Sequence, residues 1–233
     1  QAIGLAGTSR SQNPDWMDRH LPPIFAWLKS LNARFCHYKV CSTFDSSPTI
    51  GSIGHAIEIG RAVFGQRLTP LVVGAPQLKR YTAFGHLFAG YQGHTYRIDR
   101  HPVMSRHPVT PMDEADLRIH LGRQTELPVD LVPLNALNDA AVDKVIDAAR
   151  GIVLFDVMDL ATQLETGRQL LRLSDIVIMR PPRDDGLARI VDEVASTPEV
   201  KAMAIGIVAG NGARLSVTAH TGIAGRPSHE PFD

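Results

Sequence analysis

Polar residues follow the apolar runs of this chain in short clusters: Thr8-Ser9-Arg10, Ser42-Thr43-Phe44-Asp45, Pro76-Gln77 and Asp156. Lys39 stands just ahead of the second cluster. An ammonium beside two hydroxyls, Lys39 with Ser42 and Thr43, suits a carboxylate and its neighbouring hydroxyl groups. Arg10, beside Ser9, offers a planar fork for a carboxylate. Asp45 could accept from sugar hydroxyls. Gly51 and Gly54 open a helical pattern after the Ser-Thr loop. Small residues there would expose backbone N–H groups at the positive end of a helix, which suits an anion. Strand ends are also polar for a simpler reason, because loops are solvated, and a lone GxxG is a weak motif.

Other chemistries find less support. The phosphate-cradling pattern GxxxxGK[ST] is absent from the whole chain, as is GxGxxG. His101 and His107, with His86 and His94 nearby, fit no common zinc spacing, and no metal site is expected. The prolines after both histidines suggest a stiff loop that presents Arg100, Arg106 or His107. No catalytic base is assignable; Asp45 and Asp156 are the carboxylates at strand ends. Cys36 and Cys41 stand five apart, on opposite faces of a straight strand, so they read as two free thiols in a reducing cytoplasm.

These residues need a scaffold. Apolar runs at residues 2–7, 35–41, 71–75, 129–134 and 152–156 read as strands, and helical patterns at 51–64, 139–150 and 159–173 alternate with them. Asn13-Pro14 gives an N-cap and a first-turn proline. The Pro22-Pro23 pair is expected to break that helix, with a new turn over 24–31. Residues 81–99, punctuated by Gly85, Gly90 and Gly93, read as an irregular hairpin arm ending in a strand at 94–98. Thr110, Pro111 and Asp113 resemble a helix start, with the helix running to about Gln124. Beyond it, strands are expected at 176–179, 202–208 and 215–219, and a helix at 186–195. The fold class is therefore α/β: a largely parallel, Rossmann-like sheet with helices on both faces and an irregular β arm in the middle. In such sheets ligands bind beyond the carboxyl ends of the strands, where the polar clusters stand.

Two stretches carry a resemblance. YKVCSTFDSSPTIGSIGHAIEIG covers residues 38–60, and YRIDRHPVMSRHPVTPMDEADLRIHLGRQT covers 96–125, preceded by VVGAPQLKRYTAFGHLFAG. Together they resemble the N-terminal, sugar-binding domain of the four-carbon acid sugar kinases, some of which carry an old label as Hrp-dependent outer or type III effector proteins. The resemblance spans about residues 2–173 and implies an ATP- and Mg²⁺-dependent enzyme that phosphorylates tetronates or their oxo derivatives. It also implies that Lys39, Ser42 and Thr43 bind the sugar. Where many members have Asp-Ser-Thr, this chain has Cys41-Ser42-Thr43, and Asp45 stands as a partial substitute. The family's leading Asp-Asp-x-Thr-Gly segment is absent, and residues 174–233 resemble none of its Gly-rich nucleotide motifs. A sugar-binding domain over 1–173 and an unrecognised α/β tail over 174–233 are expected, with no ATP or Mg²⁺ bound by this chain alone. The alternatives are a truncated, non-catalytic acid-sugar-binding protein or a secreted effector.

Composition bounds the partners. With 24 Lys plus Arg against 24 Asp plus Glu, the formal net charge is zero, which argues against a nucleic-acid surface. No apolar run approaches the roughly 18 residues of a membrane span. The chain opens without Met inside the strand-like run AIGLAG, so an upstream segment is expected. A small acid sugar is the expected partner, and the arm and loop over 76–112 could join subunits of a homo-oligomer.

Overall fold

A computed structural model describes residues 2–33, 35–172, 176–180 and 203–205. Among them, seven strands form one sheet: β1 (Ala2–Gly4), β2 (Phe35–Lys39), β3 (Thr69–Val72), β7 (Val129–Val132), β8 (Ile152–Phe155), β9 (Ile176–Arg180) and β10 (Met203–Ile205). Their order is β1-β10-β2-β9-β3-β8-β7, and neighbouring strands pair parallel. Side chains alternate across β3 and β8, as the two-residue period requires. Leu71, Ile152 and Leu154 face a core with helices α1 (Pro14–Ser30) and α2 (Ile53–Phe64). Val72, Val153 and Phe155 face a second core with α4 (Asp139–Ala148) and α5 (Leu160–Arg172). Helices therefore cover both faces, as expected for parallel strands that are apolar throughout. The expected helix at 186–195 and strand at 215–219 lie outside the described residues.

Helix α1 corrects the sequence reading. Asn13 caps it, its side chain accepting from Trp16 N at 2.9 Å, and Pro14 occupies the first turn. The helix then runs unbroken through Pro22 and Pro23 to Ser30. Each interior proline forfeits a backbone bond and costs about 3 kcal/mol. Met17, Leu21, Phe25 and Leu28 lie on one buried stripe that continues across the pair. At about 1.5–3 kcal/mol for each buried side chain, that stripe outweighs the break.

The middle of the chain is more regular than its glycines suggest. Strands β4 (Arg80–Ala83), β5 (His86–Tyr91) and β6 (His94–Arg97) form an antiparallel sheet. This arm is sewn to the end of β8: Thr82 N donates to Val157 O at 2.9 Å, and Val157 N donates to the Thr82 hydroxyl at 2.8 Å. Gly74 allows the approach, since a Cβ there would stand 2.3 Å from Val157 O. The expected helix from Thr110 is also corrected. Helix α3 covers only Leu117–Gly122 and is capped by Asp116. Thr110 cannot cap it, because its N–H and hydroxyl are turned to His107 and Asp45.

Candidate acid-sugar site

The loop after β2 builds the site around one carboxylate. Phe44 is fully buried with φ of 55°, a left-handed conformation unusual for a bulky residue. Its ring sits 5.9 Å from that of His120, and this packing holds Thr43 and Asp45 in place on either side. Asp45 is buried and accepts four hydrogen bonds. The Thr43 hydroxyl donates at 2.5 Å, the Thr110 hydroxyl at 3.0 Å, and Arg10 Nη2 donates to both carboxylate oxygens at 2.8 and 3.1 Å. Burial pushes the Asp45 carboxyl up, but the Thr43 bond and the Arg10 charge, with Thr110, hold it below the usual carboxylate range. Asp45 is therefore an ionised hub.

The strand-end residues meet as the parallel-sheet rule expected, and they meet first with one another. Arg10 directs its fork to Asp45. Ser9 is buried, its hydroxyl 2.6 Å from that of Tyr38. Lys39 ends β2, half-buried; burial lowers the pKa of its ammonium, the Arg10 charge lowers it further, and the Asp45 carboxylate opposes them. Ser42 stands half-buried in the same loop. Cys41 Sγ lies 3.0 Å from the Thr43 oxygen. Both cysteines are free, and burial pushes the Cys36 thiol up to about 12.

The glycines serve close packing. Gly51, at φ 63°, lies so near the Arg10 loop that a Cβ would stand 2.2 Å from Arg10 O, and its N–H donates to Gln12 O. Gly54 packs on Gln124, where a Cβ would meet backbone at 2.9 Å. The α2 N-terminus, expected to offer N–H groups to an anion, meets the chain's own side chains. Gln124 Oε1 accepts from Ile53 N and Gly54 N, and Ser52 accepts from His55 N. The Gln124 amide also donates to the Ser46 hydroxyl and contacts His120 Nε2. Burial, with Arg123, lowers the His120 pKa to about 4, so that ring is neutral.

Asp156 is committed elsewhere. It is fully buried and accepts from Phe84 N at 2.5 Å and Gly85 N at 3.1 Å, holding the β4–β5 turn against the sheet. Pro76 and Gln77 lie in a single 3₁₀ turn at the foot of the arm. His101 ties its own loop, Nδ1 accepting from Val103 N and Met104 N. Among the described residues no cluster of His, Cys, Asp or Glu could hold a metal ion. No described helix is long and apolar enough to cross a membrane. Sequence reasoning missed Tyr38, Thr110, His120 and Gln124. All four lie in the two resembling stretches, but their residue types give no sign of these contacts, and by sequence Thr110 reads as part of a helix start.

Fold and edge together define an α/β domain that gathers hydroxyls, cations and one carboxylate beyond the carboxyl ends of a parallel sheet. The chain belongs to the family described as "Sugar-binding N-terminal domain", whose model matches residues 1–180. It is 51% identical over 172 residues to a 3-oxo-isoapionate kinase of Paraburkholderia graminis, a match covering 72% of this chain and 37% of the relative. It is 35% identical over 131 residues to a 3-oxo-tetronate kinase of Methylobacterium radiotolerans, covering 56% and 30%. The chain thus spans about a third of the length of these kinases. Two crystal structures share the fold. Haemophilus influenzae protein HI1011 gives a TM-score of 0.69 at 18% identity, over 85% of this chain and 51% of that one. A Bordetella bronchiseptica protein, a domain-swapped dimer with bound citrate, gives 0.61 at 19%, over 81% and 44%.

Proposed function

We propose that this chain is the acid-holding part of an ATP-dependent kinase acting on a short oxo sugar acid of the 3-oxo-isoapionate or 3-oxo-tetronate type. The observation that carries this reading is the Lys39, Arg10, Thr43 and Asp45 constellation at the strand ends of a domain half identical to a kinase of that name. The citrate of the Bordetella protein, also a small hydroxylated carboxylate, favours the same ligand class. In this reading Lys39 binds the carboxylate, Ser42 and Thr43 contact sugar hydroxyls, and Ser9 and Gly51 shape the wall. Asp45 keeps Arg10 and Thr43 aimed into the site, and Gly54 lets Gln124 close the helix end behind it. ATP with Mg²⁺ supplies the phosphoryl group to a terminal hydroxyl in the full-length enzyme, most of the catalysis coming from positioning. A cytoplasmic location fits the two free thiols.

Calorimetric titration of 3-oxo-isoapionate, 3-oxo-tetronate, threonate and erythronate tests the reading. A charge-assisted hydrogen bond is worth about 1.5–3 kcal/mol, so Lys39→Ala is expected to weaken acid binding by about one to two powers of ten. His101→Ala, which loosens only its loop, is expected to matter less. Equal binding by wild type and Lys39→Ala would move the site elsewhere. ATP with Mg²⁺ is expected to leave the melting temperature of this chain unchanged; a ligand at about 100 times its dissociation constant would stabilise by about 2.7 kcal/mol. The loop and arm expose Phe84, Val103 and Val109, which suits a homo-oligomer. Light scattering after gel filtration reads that mass directly.

A further inference from the structure

The proline-stiffened loop could present Arg100, Arg106 or His107, and the structure separates the three. Arg100 is 77% exposed, with Asp99 3.9 Å away, and Arg106 is exposed. His107 turns inward, half-buried between the exposed residues Arg106 and Pro108. Buried Met104 and Met112 anchor the loop, and the Met104 carbonyl accepts from His107 N at 3.3 Å and from Met112 N at 2.9 Å.

One residue ties the His107 ring to the Asp45 hub. Thr110 N donates to His107 Nδ1 at 3.1 Å, and the Thr110 hydroxyl lies 3.1 Å from the same nitrogen. That hydroxyl donates to Asp45 Oδ2 at 3.0 Å, the oxygen that Arg10 Nη2 reaches at 2.8 Å. The strand-end fork and the loop histidine therefore meet through one carboxylate oxygen. A backbone amide always carries its proton, so Nδ1 is the acceptor. A neutral imidazole that accepts at Nδ1 holds its own proton on Nε2. Among the described residues, His107 bonds through Nδ1 and leaves that Nε2–H without a partner.

The surroundings of the hub are rich in donors and short of acceptors. Arg10 and Lys39 are donors without lone pairs to offer. Asp45 already accepts four hydrogen bonds, which fill the roughly four lone-pair sites of a carboxylate.

We infer that His107 is a ligand-binding residue of the acid site, its Nε2–H donating to the oxo oxygen of the sugar acid, and that this donor selects oxo acids over the corresponding hydroxy acids. The inference rests on the sugar-acid reading for the identity of the ligand. A keto oxygen accepts and has no proton to place. The hydroxyl of the reduced acid also accepts, but its proton then needs an acceptor that the filled carboxylate does not offer, and an unmet donor is costly. Thr110 is then a positioning residue: by engaging Nδ1 it sets the tautomer of the ring.

Calorimetric titration of the whole chain with 3-oxo-tetronate, threonate and erythronate reads the selection, since the oxo acid differs from the other two only at the oxo carbon. Wild type is expected to bind the oxo acid at least about tenfold more tightly than either hydroxy acid. His107→Asn places an amide oxygen where Nδ1 stood, keeping the Thr110 bond, but nothing in it reaches as far as Nε2. It is expected to bring the preference within about twofold, and His107→Gln, whose amide can donate from the Nε2 position, to restore about threefold or more. A preference that survives His107→Asn in a folded protein, equal losses for oxo and hydroxy acids, or no preference in wild type overturns the inference and leaves the sugar-acid reading standing. Failure of wild type to bind any of the three acids sinks that reading, and the ligand named for His107 with it.

Long-range proton–nitrogen magnetic resonance tests the tether in the free chain. In mildly alkaline buffer the His107 ring is expected to carry its proton on Nε2, and that signal is expected to shift when 3-oxo-tetronate is added. A proton found on Nδ1 overturns the inference.

Discussion

Two buried carboxylates stand at strand ends in this molecule and behave in opposite ways. Asp45 and Asp156 are both nearly inaccessible, and burial pushes both carboxyls up. Asp45 ends below the ordinary range, because two hydroxyls and a guanidinium bond it. Asp156 ends above it, because the backbone N–H groups of Gly85, Phe84 and Leu134, with Arg118 farther off, do not offset the burial. The lesson is that burial sets the cost while partners set the sign. The first carboxylate organises a charged site, and the second latches an arm.

The comparison breaks most visibly at Asp45. Asp45→Asn would leave Arg10 without its counter-charge and give Thr43 and Thr110 a poorer acceptor. Urea unfolding is expected to show a loss of about 3 kcal/mol, moderated by the partial exposure of Arg10. Acid binding should fall with it. A loss under about 1 kcal/mol would mean that the pair is only a surface contact.

The next effect is a pH dependence near Asp45. His120 binds a proton at about 4 in the folded chain and near 6.5 when unfolded, so the unfolded chain carries more protons between those values. Stability from keeping the ring neutral is complete above about pH 6.5 and is lost as pH falls toward 4. Unfolding free energy is expected to be about 2 kcal/mol lower at pH 5 than at pH 7.5. His120→Gln should flatten that slope; an unchanged slope would assign it to another group.

Asp156 is expected to respond more locally. Asp156→Asn keeps one acceptor oxygen, but its amide would oppose the other turn N–H. About 1.5 kcal/mol should be lost, and hydrogen exchange should quicken over residues 80–91 while α1 and α2 stay protected. The sign of its pH effect is opposite to that of Asp45. Its raised carboxyl favours the folded state at low pH, an advantage lost as pH rises through the folded value, whereas the Asp45 contribution is lost as pH falls. Uniform exchange across the chain would show that the arm has no separate latch.

The smallest effect should come from Thr110→Val, which removes one neutral donor from Asp45 and costs about 1 kcal/mol. Nuclear magnetic resonance titration should then find the Asp45 pKa nearer its ordinary value. No change would leave Arg10 and Thr43 as its whole support.

The residue pattern by itself determined what depends on near neighbours. Apolar runs of five to seven residues between helical patterns sufficed for a parallel sheet covered on both faces, because strand and helix periodicities are local. The Asn13 cap, the free cysteines and the clustering of Arg10, Thr43 and Asp45 at one edge were legible for the same reason, with the parallel-sheet rule supplying the edge. Tertiary structure decided what depends on distant partners. Pro22 and Pro23 remain helical because a buried stripe spans them. Thr110 leaves its expected cap for a carboxylate 65 positions away, and Gln124 reaches back 70 positions to take the N–H groups of α2. The identical residue type at positions 45 and 156 gave no hint of opposite proton affinities. That difference arises only when folding removes water from both groups and chooses a different set of donors for each.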